Sequence, residues 1–133
     1  MALSYVDYTG DGTTGPYNVT FNYILSSHVL VYVNGVSVTF TWPTTSTIQL
    51  NAAAASGARI RIKRVTPSTP LVDFVSGANL TESNLDKAAL QSLYRAIEGI
   101  DAAIDGLNYS QTTGKYEALS RVIANLANPT NAQ

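Results

Sequence analysis

The sequence holds no cysteine. Neither disulfides nor thiolate metal sites are available, and nothing can be read about redox compartment. Charge is also scarce. Asp, Glu, Lys and Arg make up 13% of the 133 residues, against a usual share of about 25%. Eight basic residues stand against nine acidic ones, for a net charge of −1. That balance gives no electrostatic ground for nucleic acid or an anionic membrane as partner. No apolar run approaches the roughly 18 residues a membrane span needs. The opening "MALSYVDYTGDG" lacks the basic and apolar regions of a signal peptide. Polarity comes instead from Ser, Thr, Asn and Gln, which suits a chain packed into a permanent assembly or exported. At this length folding buries roughly two-thirds of the open chain's surface, enough for a real core.

Residues 1–70 read as strands and turns. "TGDGTTGP" (9–16) is a loop, with three glycines and Pro16. "YNVTFNYI" (17–24) alternates, placing Tyr17, Val19, Phe21 and Tyr23 on one face of an extended strand. "VLVYVNGVSVTFTW" (29–42) is the strongest local signal. Asn34-Gly35 tolerates the positive φ angles of a two-residue hairpin turn. The turn predicts Val33 opposite Val36, Val31 opposite Val38 and Val29 opposite Phe40, with Trp42 continuing that face. "STIQL" (46–50) is a short strand, and "NAAAASGA" (51–58) a connection. "ARIRIKRV" (58–65) alternates again. It puts Ile60, Ile62 and Arg64 on one side and Arg59, Arg61 and Lys63 on the other.

Past "TPSTP" (66–70) the character changes, because Pro67 and Pro70 end any ladder. "LVDFVSG" (71–77) is an extended connector with Leu71 and Phe74 as buried anchors. Thr81 is a good N-cap and Glu82 suits the positive first turn, so a helix is expected from about 82 to about 105, ended by Gly106. A weaker helical signal falls at 115–124. Within the long helix Leu90, Leu93, Ile97, Ile100, Ile104 and Leu107 are spaced alternately three and four apart. Such spacing makes one narrow apolar stripe. It fits a core stripe lying across the sheet or a seam completed by other copies of the chain. Ile in both positions of the repeat leans toward three or more strands.

Residues with chemistry to offer are few. His28 lacks the nucleophile and orienting partner a general base needs, and reads as a strand-end histidine. Asp7 and Asp11-Gly12 lack the alternating oxygen ligands of a calcium loop and read as turn chemistry. The row Arg59, Arg61, Lys63 reads as solvated or partner-facing rather than as a nucleic-acid site, which would want more charge and interleaved aromatics. Glu82, Asp86, Glu98, Asp101 and Asp105 read mostly as the polar side of the helix. No catalytic, metal or cofactor residues are expected. Eight tyrosines leave open a carbohydrate-binding β-module engaged in receptor recognition.

"RIRIKRVTPSTPLVDFVSGANLTESNLDKAALQSLYRAIEGID" (59–101) resembles the N-terminal, virion-attaching domain of tail fibres and tailspikes of T7-like podophages. The likeness lies in a basic strand ending "RVT", then "LVDF", a nearby glycine, "LTESNLD" and a long helix. "YNVTFNYILSSHVLVYVNG" (17–35) and "RVIANLANPTNAQ" (121–133) extend it over nearly the whole chain. The resemblance implies a structural, non-enzymatic homotrimer without cofactor. Its partners would be tail adaptor and nozzle proteins, with a downstream spike or fibre protein as a further one. Family members usually continue into a shaft and a receptor-binding end, whereas this sequence stops at Gln133. It is then either a fragment of a longer fibre or a short protein anchoring another spike.

The expectation is an α+β protein of the phage tail. A small antiparallel β-sandwich or sheet (1–75) precedes a connector and a long C-terminal α-helix that trimerises (76–107) and an extension toward a shaft or partner (108–133). The trimer contacts would be Leu90, Leu93, Ile97, Ile100, Ile104 and Leu107.

Overall fold

A computed structural model describes residues 2–106, 108–110 and 114–117. The chain divides into two compact units, Met1–Asp101 and Ala102–Gln133. The first unit contains two antiparallel sheets. One has β1 (Tyr5–Thr9), β7 (Arg59–Arg64), β3 (Val29–Val33) and β4 (Val36–Val38) in that spatial order. The other has β2 (Tyr17–Asn18), β6 (Thr47–Leu50) and β5 (Phe40–Thr44). The helix α1 (Glu82–Asp105) comes next in the chain, and a hairpin of β8 (Asn108–Ser110) and β9 (Lys115–Glu117) lies in the second unit. The architecture is α+β, with antiparallel sheets and one long helix toward the C-terminus. Among the described residues no helix is long and apolar enough to cross a membrane.

Both sheets contribute to one core. Val29, Val31, Ile60 and Ile62 from the first meet Tyr17, Val19, Phe21, Ile48 and Leu50 from the segments of the second. The alternation read at 17–23 holds in burial, although hydrogen-bonded pairing in β2 covers only Tyr17 and Asn18. Phe21 and Val19 are buried all the same. Alternate residues of an extended segment share a face whether or not its ladder is complete.

Asn34 (φ 50) and Gly35 (φ 83) form the predicted turn. Their positive φ angles match the twist of the flanking strands. Val33 pairs with Val36 and Val31 with Val38, as the sequence predicts. The expected third pair is different: Val29 pairs with Arg64, and Phe40 with Leu50. The strand leaves the first sheet at Thr39 and enters the second. Asn51 holds that crossing, its N–H donating to the Thr39 carbonyl at 3.2 Å and its Nδ2 to Thr39 Oγ1 at 3.0 Å. The switch lets one chain segment cover the core from both sides. Pro43, which cannot donate to a ladder, falls on β5, an edge strand. Residues 115–117, expected as the start of a weak helix, are β-strand, with Tyr116 opposite Tyr109. A local pairing partner there overrides helical propensity.

Close approach constrains one glycine in particular. Gly10 lies so near the Ala55 carbonyl that a side chain would collide with backbone. Its N–H donates to the Ala58 carbonyl at 2.7 Å, and its own carbonyl accepts from Gly57 N–H at 2.8 Å.

Candidate functional site

The helix begins as read. Thr81 Oγ1 accepts from Asn84 N–H at 3.2 Å, satisfying one of the amide groups that a helix start leaves open. The buried face of α1 inverts the usual rule for a helix on a sheet. Gln91, Tyr94 and Asp101 are the buried helix residues, and Glu98 beside them is half-buried. Polar groups line the helix face that meets the β unit.

Each makes a specific attachment. Asp101 Oδ2 accepts from the N–H groups of Leu3 (3.0 Å) and Ser4 (2.8 Å) and from Ser4 Oγ (2.5 Å). Glu98 accepts from Arg64 Nε at 2.9 Å, from Thr66 N–H at 3.1 Å and from Thr66 Oγ1 at 2.6 Å. The Arg64 guanidinium stacks 3.8 Å from the centre of the Tyr94 ring. Its side chain is only 1% exposed. Gln91 accepts from Leu71 N–H at 2.9 Å and donates to the carbonyls of Pro67 (2.8 Å) and Thr69 (2.6 Å). Arg95 donates to the Thr66 carbonyl at 2.9 Å. Gln91, Arg95 and Glu98 thus satisfy backbone that runs off β7, and Asp101 satisfies backbone that leads into β1. Buried backbone groups must find such partners, because leaving one unmade costs about 1–3 kcal/mol.

The sequence reading assigned Glu98 and Asp101 to the solvated side of the helix, and the structure corrects this. A signal existed. Gln91, Tyr94, Glu98 and Asp101 repeat at three, four and three residues, one position along from the apolar repeat.

Among the described residues the apolar stripe is left largely open. At 3.6 residues per turn its centre lies roughly 100° around the helix from the buried polar face. Leu93 is 53% exposed and Ile100 59%. Leu90 and Ile104 are also exposed, while Ile97 is half-buried. Ala89, Ala96 and Ala103 are exposed on the far flank of the stripe. Leu107 lies outside the described residues. Of the expected connector anchors, Leu71 is half-buried. Phe74 is not an anchor within the chain, being 54% exposed. The shared core closes without it, and no strand or helix of the connector presses its ring inward.

Arg59, Arg61 and Lys63 project together from the outer face of the four-stranded sheet, as the alternation predicts. Asp7, the partner of the two arginines and read from sequence as turn chemistry, is instead on β1 opposite Arg61. Arg61 grips it with two bonds, Nε to Oδ1 at 2.7 Å and Nη2 to Oδ2 at 2.8 Å. Arg59 Nη2 adds a third at 2.9 Å. A hydrogen bond from Arg61 is the chief cause holding the Asp7 carboxyl below the usual carboxylate range; burial opposes it, and Arg59 adds a smaller lowering. Asp11 is the turn residue expected, its Oδ1 accepting from the N–H (3.0 Å) and Oγ1 (2.7 Å) of Thr13. His28 is buried at the end of a 3₁₀ turn (Ser26–His28), and its Nδ1 has no partner among the described residues. Tyr17 and Tyr94 are buried, and Tyr8 and Tyr23 pack against the core, so these four do not share one open surface.

A joined pair of sheets, a helix clasped by polar groups and an apolar stripe turned outward are the features to set beside known proteins. Residues 1–118 match the family "Phage T7 tail fibre protein, N-terminal domain", and the chain belongs to that family. It is thus a structural component of a phage tail fibre, located in the virion. Over 136 residues it is 31% identical to the "Anchor protein" of Klebsiella phage KP34, covering 100% of this chain and 43% of that protein. Over 132 residues it is 32% identical to the "Tail fiber protein" of Escherichia phage T7, covering 91% of this chain and 24% of that protein. The chain spans less than half the length of these relatives.

Proposed function

We propose that this chain is the virion-attaching anchor of a tail fibre or tailspike, and that it works as a homotrimer. The stripe of Leu90, Leu93, Ile97, Ile100, Ile104 and Leu107 forms the seam between copies. Tail adaptor and nozzle proteins hold the β unit, and a downstream fibre or spike protein, or a further part of the same protein, carries receptor recognition. The work done is packing and mechanical coupling, without catalysis.

The single observation that carries this reading is the disposition of α1. Among the described residues its apolar stripe is largely uncovered while polar residues face the sheets. Water does not favour that arrangement for an isolated chain, since burying a large apolar side chain is worth about 1.5–3 kcal/mol. Other copies of the same helix would cover the stripe, and mixed Ile and Leu at both repeat positions suit three rather than two. The exposed alanines on its flank allow close approach.

Native mass spectrometry or light scattering tests the seam. The wild-type protein is expected at the mass of three 14.2 kDa chains. Leu93→Asp with Ile100→Asp should give single chains that keep their circular dichroism. A wild-type protein that runs as one chain at micromolar concentration would sink the proposal. Attachment is tested separately, by adding the protein to purified tails stripped of their fibres and sedimenting them.

A further inference from the structure

We propose that the outer face of the four-stranded sheet is a docking groove for a carboxylate-rich segment of a protein partner. The inference rests on the anchoring reading only in taking a tail protein as the source of that segment. The strand register sets Arg61 between Asp7 and Tyr32, and Lys63 between Tyr5 and Leu30. A groove of about 300 Å³ opens among Tyr32, Gly35, Arg59, Arg61 and Lys63. The four strands carry one acidic residue, Asp7, and the three outward cations give this face a local charge of +2 within a chain of net charge −1. Asp7 fixes the Arg61 guanidinium through two bonds, so that cation is held in place before any partner arrives. The Lys63 ammonium lies 5.1 Å from the Tyr32 ring centre and has no carboxylate partner among the described residues. The Arg59 side chain, 64% exposed, offers its remaining donors to solvent.

Positive charge framed by tyrosine is the chemistry that binds carboxylates at protein interfaces, where Arg and Tyr are enriched. Nucleic acid fits less well. The groove takes a few side chains rather than the long track of a phosphate backbone.

Fluorescence anisotropy tests the groove with a labelled hexaglutamate peptide, and with an oligothymidylate of equal charge, at low ionic strength. The wild-type chain is expected to bind the peptide, and added salt to weaken it. Arg59→Glu with Lys63→Glu should lose at least about tenfold in affinity. Arg59→Gln with Lys63→Gln should lose less, and decides the matter if the reversal variant fails to fold. Leu93→Asp with Ile100→Asp should bind as the wild type does. The groove is refuted by a wild type that ignores the peptide, or by folded charge variants that bind it unchanged. Tighter binding of the oligothymidylate would also overturn it, assigning the face to nucleic acid. None of these measurements needs a tail or a trimer. Failure of the anchoring reading, seen as single-chain mass or absence from sedimented tails, is therefore distinguishable.

Discussion

The β core and the helix of this chain are built on opposite plans. In the core, Val31, Ile48, Ile60 and Ile62 are fully enclosed by apolar neighbours from two sheets. On the helix, Gln91, Glu98 and Asp101 turn inward and leucine and isoleucine turn outward. The first arrangement is complete within one chain. The second leaves its apolar residues open among the described residues. A fold whose stability is secured in its sheets can present an unfinished apolar surface without unfolding, provided the helix is pinned in a fixed orientation. Hydrogen bonds do the pinning because they are directional, whereas apolar packing alone would have favoured rotating the stripe inward.

The comparison breaks most sharply at Glu98. Glu98→Ala leaves the Arg64 guanidinium buried without its counter-charge, and should cost about 3–5 kcal/mol in urea unfolding. Glu98→Gln keeps an acceptor for Thr66 and should cost less. If Glu98→Ala proved neutral, the polar clasp would not be what orients the helix. Ile62→Ala, in the opposite kind of environment, should cost about 2–5 kcal/mol through lost burial and a residual cavity. It should leave the mass in solution equal to that of the wild type among molecules that remain folded.

Substitution of the stripe sharpens the contrast from the other side. Leu93→Asp with Ile100→Asp should change the stability of a single chain by less than about 1 kcal/mol, because both side chains already face solvent. Its visible effect should be on concentration dependence. The wild-type melting temperature should rise with protein concentration, as mass action requires of an oligomer. The variant's should stay flat. Parallel behaviour of the two proteins would show that the stripe is not the seam.

Sequence legibility followed the range of the interactions. The hairpin was readable because Asn34 and Gly35 carry their own conformational preference, and the helix start because Thr81 and Asn84 are three residues apart. β1 was not readable as a distinct strand. It is an edge strand, with Asp7 in the middle of an otherwise ordinary alternation, and its identity depends on Arg59 and Arg61, more than fifty residues away. The stripe could be seen as a pattern, but whether the sheet covers it depends on Glu98 finding Arg64 and Asp101 finding Ser4, at separations of 34 and 97 residues. Residue type alone placed those two carboxylates in water. The passage of Phe40 into the second sheet was likewise hidden, since continued pairing with Val29 and a switch at Thr39 satisfy the same alternation.

The smallest effect belongs to the outer face of the first sheet, where Asp7 joins neither the core nor the clasp. Its carboxyl is held below the usual carboxylate range chiefly by the hydrogen bond from Arg61, with a smaller lowering from Arg59, against the opposing effect of burial. A group whose folded-state pKa is lowered stabilises the fold above its unfolded pKa, and that contribution is lost as pH falls through the folded value. Asp7→Asn should therefore leave less acid-dependent stability to lose, flattening the acid limb of the stability–pH curve while lowering stability near neutrality. Asp7 is 36% exposed, so solvent screens the pair and the difference should be no more than about 0.2–1 kcal/mol. It should shrink further in high salt. Urea titrations of both proteins at neutral and acidic pH measure this directly. A gap between them that widened on acidification would have the wrong sign for a carboxylate held ionised by two arginines.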